Sequence, residues 1–170
     1  MASTQAPPPG GPPGGPPLGR RIPRPVWQVI NGFMRTALSL PFPTPIGQRL
    51  MLVSLTGRKT GRHYRQPVSY VRHGDALLTP GGGKWKLNLR PGQPTRLHVN
   101  GRDVTAYPEL VSDPQTAGDL YAAMAAANPT VTRFSGMQIG PDGRPDPQRL
   151  AGALKYGFVI VRWHLSKPGA

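Results

Sequence analysis

The chain has 170 residues, no cysteine and a formal net charge of +14 at pH 7. This length predicts one domain with a hydrophobic core. Without cysteine, disulfides, thiolate metal sites and thiol catalysis are excluded, and we expect a reducing, cytoplasmic environment. No run approaches the ~20 apolar residues of a membrane-spanning helix. The Pro/Gly-rich beginning lacks the apolar region of a signal peptide, so we expect none.

The positive charge is concentrated in the first half of the sequence, where ten Lys or Arg and no Asp or Glu precede Asp75. Such a field attracts anions, including nucleic acid, acidic lipid and polyanionic cofactors. The sequence has no recognition-helix pattern, no zinc-finger spacing and no series of stacking aromatics. We therefore expect no nucleic acid partner. A module that binds polyanions through its basic face remains an alternative.

Residues 1–24 are rich in Pro and Gly and have little to bury, which predicts a disordered tail. Residues 25–170 are predicted to form a single domain. It begins with an amphipathic helix from Pro25 to Leu40, which Pro41 ends. The apolar face of this helix either packs on the domain or lies on a membrane surface, and the second alternative implies peripheral membrane contact.

The rest of the domain is predicted to contain about six short strands, mostly antiparallel, with flanking helices. The strands are Arg49–Thr56, Tyr64–Arg72, Ala76–Thr79, Gln93–Val99, Arg102–Val111 and Gly157–Leu165. Turns are predicted at His73-Gly74-Asp75 and at Asn100-Gly101, which is the strongest hairpin signal in the chain. The predicted fold class is α+β, built around a small β-barrel.

Helical segments are predicted between and after these strands. Lys84–Arg90 is expected to form about one turn. Asp113-Pro114 is typical of an N-cap and first-turn proline, and predicts a helix to about Ala127. Residues 128–145 are predicted to be irregular, and Asp146-Pro147 to begin a short helix that ends near Lys155. The residues expected on the inner face of the longer helix are Leu120, Tyr121, Met124 and Ala127.

The most distinctive segment is the basic turn from Gly57 to Arg62, which follows an apolar strand. Gly57 and Gly61 permit positive φ and close backbone approach. Four cations lie in or just after the turn, and because like charges repel, their arrangement predicts a bound phosphate or carboxylate. An ordinary solvated loop is the alternative, and the P-loop pattern is absent. The four cations are Arg58, Lys59, Arg62 and Arg65.

Two segments of the chain form a distinctive pair. The first is Thr56-Gly57-Arg58-Lys59-Thr60-Gly61, followed by Pro67. The second is Gly81-Gly82-Gly83-Lys84-Trp85-Lys86-Leu87-Asn88-Leu89-Arg90, followed by a Pro-led strand and Asn100-Gly101-Arg102. Together they resemble the deazaflavin-dependent nitroreductase family, within the split β-barrel flavin and deazaflavin oxidoreductases. The resemblance covers roughly residues 46–111.

The resemblance implies a split β-barrel that binds the reduced deazaflavin coenzyme F-420 and transfers hydride to an organic acceptor, such as a quinone or a nitro compound. The coenzyme's tail carries a phosphate and a chain of glutamates, which the clustered cations would neutralise. Binding of FMN, or a non-catalytic protein that carries a cofactor or lipid, is the alternative. Split barrels of this kind commonly pair, so a homodimer is an expectation.

The resemblance also implies which residues bind the coenzyme. They are Thr56, Gly57, Arg58, Lys59, Thr60, Gly61, Arg62, Arg65, Pro67, Gly81, Gly82, Trp85 and Asn88. Trp85 either packs in the core or contacts the ring system, and Asn88 is expected to hold its loop to a strand. The family usually has an arginine three residues after the second glycine of the turn, where this chain has Tyr64 and then Arg65.

No catalytic residue is assigned from the sequence. The tyrosines that are candidate proton donors are Tyr64, Tyr70, Tyr121 and Tyr156. The four histidines lack the spacing of metal ligands and the seven acidic residues are scattered, so we expect no metal site.

Overall fold

The computed structural model describes residues 36–165, with the exception of residues 42 and 46. The strands are β1 (Leu50–Thr56), β2 (His63–Ser69), β3 (Val71–His73), β4 (Ala76–Gly81), β5 (Thr95–Val99), β6 (Arg102–Val111) and β7 (Val159–Leu165). The helices are α1 (Pro114–Ala127), α2 (Thr130–Ser135), α3 (Pro147–Lys155) and a 3₁₀-helix (Lys84–Asn88).

In the described part of the chain, seven strands form one antiparallel sheet in the order β2-β1-β5-β6-β7-β4-β3. β2 and β3 stand at opposite edges of this order, yet only Tyr70 separates them in the chain. Because neighbouring strands are about 4.8 Å apart, a flat sheet would hold these edges far apart, so the sheet curls until they meet. The Tyr70 N–H donates to Arg49 O (3.1 Å) and its hydroxyl donates to Gly47 O (2.9 Å). The predicted α+β split barrel is confirmed.

Apolar side chains form two buried clusters, one on each face of the curled sheet. Leu77 of β4 and Val161 of β7 belong to the inner cluster, which fills the barrel. Their neighbours Leu78 and Ile160 belong to the outer cluster, as the alternation of side chains along a strand requires. The outer cluster joins α1 and α3 to the sheet through Leu120, Tyr121, Met124 and Leu150.

The predicted tail, residues 1–24, lies outside the described residues, as do residues 25–35 of the predicted first helix. Residues 36–38 are helical and the side chain of Leu38 is buried. Leu40 O lies 3.1 Å from Nε2 of His98, a residue of β5. The described end of this segment therefore packs against the sheet.

Several boundaries differ from those predicted. The segment Tyr64–Arg72 is divided at Tyr70 into β2 and β3, which raises the number of strands to seven. β7 begins at Val159 rather than at Gly157, whose φ of 89° lies outside the strand region. Ala127 is exposed, because it is the last residue of α1 and extends past the sheet.

The prediction that residues 128–145 are wholly irregular was wrong, because Thr130–Ser135 form α2. Threonine and valine have modest helix propensity, so the sequence pattern gave little indication of this helix. Tertiary packing stabilises it instead, since Val131 is fully buried. Gly136, with φ 68°, ends it in the left-handed conformation that glycine adopts readily.

Candidate functional site

The turn Gly57–Arg62 connects β1 to β2 and is closed by its own backbone. Gly57 N–H donates to Arg62 O (2.9 Å), and Gly61 N–H donates to Gly57 O (2.8 Å). Gly61 has φ 65°, so a glycine suits this position. Among the described residues, the backbone N–H groups of Lys59 and Thr60 donate to no backbone acceptor. Both residues are exposed, so these groups can donate to solvent or to an anion.

Asn88 attaches the turn to the 3₁₀-helix, so the two segments of the sequence motif meet in space. Arg58 N–H donates to Asn88 Oδ1 (3.0 Å). On its other side, Asn88 Nδ2 donates to the Tyr64 hydroxyl oxygen (2.6 Å). One carboxamide thus joins the turn, the 3₁₀-helix and β2. The expectation that Asn88 holds its loop to a strand is confirmed.

Tyr64 and Arg65 of β2 point to opposite faces of the sheet. The β1–β2 register is continuous along both strands and has no bulge. Tyr64 lies opposite Leu55 and packs against the inner cluster. The Arg65 side chain extends over the other face, where Nη1 donates to Ser39 Oγ (3.2 Å). Arg65 therefore does not substitute for a residue at position 64, since a shift of one residue exchanges faces.

A groove of about 580 Å³ opens where β1 ends and β2 begins. Three of the predicted residues line it, namely Thr56, Arg65 and Asn88. Arg90 and Arg96 line it as well, although sequence reasoning did not select them. Arg90 lies inside the second motif segment, but Arg96 joins the site only through the pairing of β5 with β1, which the sequence pattern does not specify.

The cations of this region differ in whether they have acidic partners. Arg96 Nη2 lies 2.5 Å from Asp103 Oδ2. All seven acidic residues of the chain lie in the described part, and none is paired with the turn or with the groove residues Arg65 and Arg90. The other carboxylates that form ion pairs, Glu109 and Asp119, do so with other basic residues. The turn cations without an acidic partner are Arg58, Lys59 and Arg62.

The glycines of the second segment have different surroundings. Gly81 is buried in β4, and a Cβ atom there would lie 2.7 Å from Val159 Cγ2 and 2.9 Å from Val159 O. Packing against β7 therefore explains Gly81 without a ligand. At Gly82 the nearest atom to an added Cβ would be Phe158 Cδ2 at 4.0 Å. Gly82 thus has open space beside it.

Other residues of this segment stabilise its fold. Trp85 is half-buried and packs against the inner cluster, in agreement with the core alternative. Lys86 Nζ donates to Gly81 O (2.8 Å), and burial lowers the pKa of its ammonium group. Pro67 lies opposite Leu52 on the edge strand β2, where its missing N–H breaks no ladder.

The candidate proton donors are in contrasting environments. The Tyr70 hydroxyl donates to Gly47 O and the Tyr121 hydroxyl to Met137 O (2.6 Å), and burial raises the pKa of both phenols. Tyr156 is 82% exposed at the end of α3. Of these tyrosines, Tyr64 lines the groove.

No three His, Asp or Glu side chains are grouped as metal ligands within residues 36–165. No helix in this part of the chain is both long enough and apolar enough to cross a membrane.

Comparisons with known proteins identify the family. The sequence profile of the F420H(2)-dependent quinone reductase family matches residues 34–138, more than half of the chain. This range includes the turn Gly57–Arg62 and the 3₁₀-helix. No curated protein matches this chain.

Similar solved structures have low sequence identity to this chain. An "F420 Reductase" is 12% identical with a TM-score of 0.40, covering 78% of this chain and 93% of its own. A pyridoxamine 5′-phosphate oxidase-like protein from Listeria innocua is 8% identical with a TM-score of 0.46, covering 79% and 94%. A FAD-binding protein from Mesorhizobium loti is 11% identical with a TM-score of 0.42, covering 79% and 88%.

The family match covers both motif segments, which Asn88 joins in space. The chain therefore belongs to the F420H(2)-dependent quinone reductase family and is an oxidoreductase that uses the deazaflavin coenzyme F-420.

Proposed function

We propose that the protein reduces a quinone-like acceptor and binds the anionic tail of coenzyme F-420 at the turn Gly57–Arg62 and the adjoining groove. One observation carries the placement of the tail. Arg58, Lys59 and Arg62 have no acidic partner among the described residues, although Asn88 holds their turn in place. Holding like charges together costs free energy unless an anion neutralises them.

Each part of the site has a role in binding the tail. The Arg58 and Lys59 side chains form charge-assisted hydrogen bonds to the phosphate. The N–H groups of Lys59 and Thr60 donate to the same group. Arg90 lines the groove and attracts the glutamate carboxylates further along the tail, whereas the Arg65 side chain bonds Ser39 on the opposite face. These contacts fix the position of the coenzyme without contributing to the chemical step itself.

The acceptor site is proposed to lie beside the 3₁₀-helix. When bound, the reduced deazaflavin supplies the hydride, and the protein supplies binding and orientation. Leu87 on this helix is 51% exposed and could contact an apolar ring. The family description supports a quinone-like acceptor.

The test is an acceptor comparison with purified protein and reduced coenzyme F-420. Re-oxidation of the coenzyme is followed by its absorbance with a soluble naphthoquinone, with a nitroaromatic compound, and with no acceptor. We expect the enzyme-dependent rate to be highest with the quinone. Re-oxidation that the enzyme accelerates with the nitroaromatic compound but not with the quinone would refute the proposed acceptor.

A further inference from the structure

The orientation of the Asn88 carboxamide follows from its two partners. A backbone N–H can only donate, so the atom that faces Arg58 N at 3.0 Å is the carboxamide oxygen. The nitrogen Nδ2 must then face Tyr64, 2.6 Å from its hydroxyl oxygen. The opposite orientation would place the NH₂ group against the Arg58 N–H, donor against donor.

This orientation determines the role of the Tyr64 hydroxyl. Asn88 Nδ2 can only donate, so the Tyr64 hydroxyl oxygen is the acceptor in that bond. The hydrogen of the Tyr64 hydroxyl is therefore free to be donated to another group. No described residue accepts that hydrogen. Tyr64 lines the groove, where the Arg90 guanidinium is also only a donor and cannot accept this hydrogen.

The surroundings of Tyr64 therefore select the chemistry of its partner. Tyr64 is half-buried, and in the groove a ligand oxygen can replace the water that otherwise accepts this hydrogen. Arg90 in the groove and the cations of the nearby turn favour an acceptor that is negatively charged. Phosphate and carboxylate oxygens accept hydrogen bonds without donating them, so they are suitable partners for a groove lined by donors.

We propose that the Tyr64 hydroxyl donates a hydrogen bond to an anionic oxygen of the coenzyme tail, with Asn88 as the positioning residue that directs this hydrogen into the groove. The inference rests on the proposed tail site. Tyr64 is then a binding residue that recognises the tail rather than the ring system, and its ring contributes separately to the inner cluster.

The experiment compares two ligands and two tyrosine variants. Wild type, Tyr64→Phe and Tyr156→Phe are titrated by fluorescence with coenzyme F-420 and with the same deazaflavin riboside lacking phosphate and glutamates. Tyr64→Phe removes only the hydroxyl and keeps the ring that packs opposite Leu55. Tyr156→Phe deletes the same atom at an exposed position outside the groove. Thermal unfolding verifies that both variants are folded.

We expect Tyr64→Phe to weaken binding of the full coenzyme by about tenfold or more, since hydrogen bonds to charged groups are worth about 1.5–3 kcal/mol. Its affinity for the tail-less riboside should stay that of wild type, and Tyr156→Phe should bind both ligands normally. Unchanged affinity for the full coenzyme, or an equal loss for both ligands, would overturn the proposal.

The Arg58→Ala/Lys59→Ala variant, titrated alongside, separates this proposal from the one it rests on. If that variant weakens tail-dependent binding and Tyr64→Phe does not, the hydroxyl proposal alone fails. If neither variant weakens it, the proposed tail site fails as well.

Discussion

At the scale of single residues, Asn88 connects the parts of the site. Its oxygen accepts from the turn and its nitrogen donates to β2, so it fixes the turn relative to the barrel. Neither hydrogen bond belongs to the backbone pairing of the sheet, and both are made by the Asn88 side chain. The geometry of the turn should therefore be sensitive to this position.

Replacing Asn88 with alanine should lower both stability and coenzyme affinity. The variant loses two hydrogen bonds, each worth about 0.5–1.5 kcal/mol, so we expect a decrease of about 1–3 kcal/mol in the free energy of unfolding. Chemical denaturation and coenzyme titration measure the two effects. Gln115→Ala, at an exposed position of α1 outside the groove, is the control. Wild-type affinity in Asn88→Ala would show that the attachment is not needed for binding.

The sequence predicted single residues well where a motif defines their position. It did not predict on which face of the sheet a side chain lies. The resemblance located Arg58, Lys59 and Asn88 in segments that the structure brings together. It left Arg65 unresolved, because only the continuous pairing of β2 with β1 shows on which face Arg65 lies. Strand register depends on partners distant in sequence, which a local pattern does not contain.

At the scale of elements, the end of β4 presents two adjacent glycines with different expected roles. Gly81 packs against Val159 of β7, whereas Gly82 has open space beside it. The resemblance assigned both to the coenzyme. The structure supplies a packing reason for Gly81 alone, so substitution should distinguish the two positions.

Gly81→Ala should reduce the free energy of unfolding by about 1–3 kcal/mol, because the added Cβ would overlap Val159 and force β4 and β7 apart. Gly82→Ala should leave stability nearly unchanged and, if Gly82 contacts the ring, should weaken coenzyme binding. Thermal unfolding and coenzyme titration of the two variants give the comparison. Equal melting temperatures for both variants would contradict the packing assignment of Gly81.

The β5–β6 hairpin contains an ion pair whose contribution depends on pH. Hydrogen bonds from Arg96 and then from His98 hold the pKa of Asp103 below its usual value of about 3.9. A carboxyl with a lowered folded-state pKa stabilises the fold above its unfolded pKa. That contribution is lost as the pH falls through the folded value.

We therefore expect Asp103→Asn to be less stable than wild type near neutral pH, with a difference that shrinks as the pH falls below about 4. Melting temperatures between about pH 2 and 7 measure this difference. Because both side chains of the ion pair are largely exposed, we expect this difference in melting temperature to be small. A difference that stays constant over the whole range would mean that Asp103 acts through packing rather than charge.

At the scale of the whole molecule, closure of the barrel depends on Tyr70, which sends β2 and β3 to opposite edges of the sheet. The sequence pattern predicted the strands and the α+β class, since alternation and turn residues are local features. It joined β2 and β3 into one strand, because both are locally extended. The division arises from contacts of Tyr70 with Gly47 and Arg49, which lie more than twenty residues earlier.

The charge of the whole molecule also bears on binding. A net charge of +14 attracts any anion, so a loss of affinity after removing cations does not by itself identify a site. A control that removes the same charge elsewhere is therefore needed. Arg149 and Lys155 on α3 are exposed, and neither lines the groove.

The most direct test of the central claim is a fluorescence titration of coenzyme F-420 into wild type, Arg58→Ala/Lys59→Ala and Arg149→Ala/Lys155→Ala. We predict that the turn variant loses about 2–4 kcal/mol of binding free energy, taking typical charge-assisted hydrogen bonds at an exposed turn as the guide. The α3 variant should bind nearly as wild type does. Equal losses in the two variants, or no loss in the turn variant, would contradict the claim that this turn binds the coenzyme.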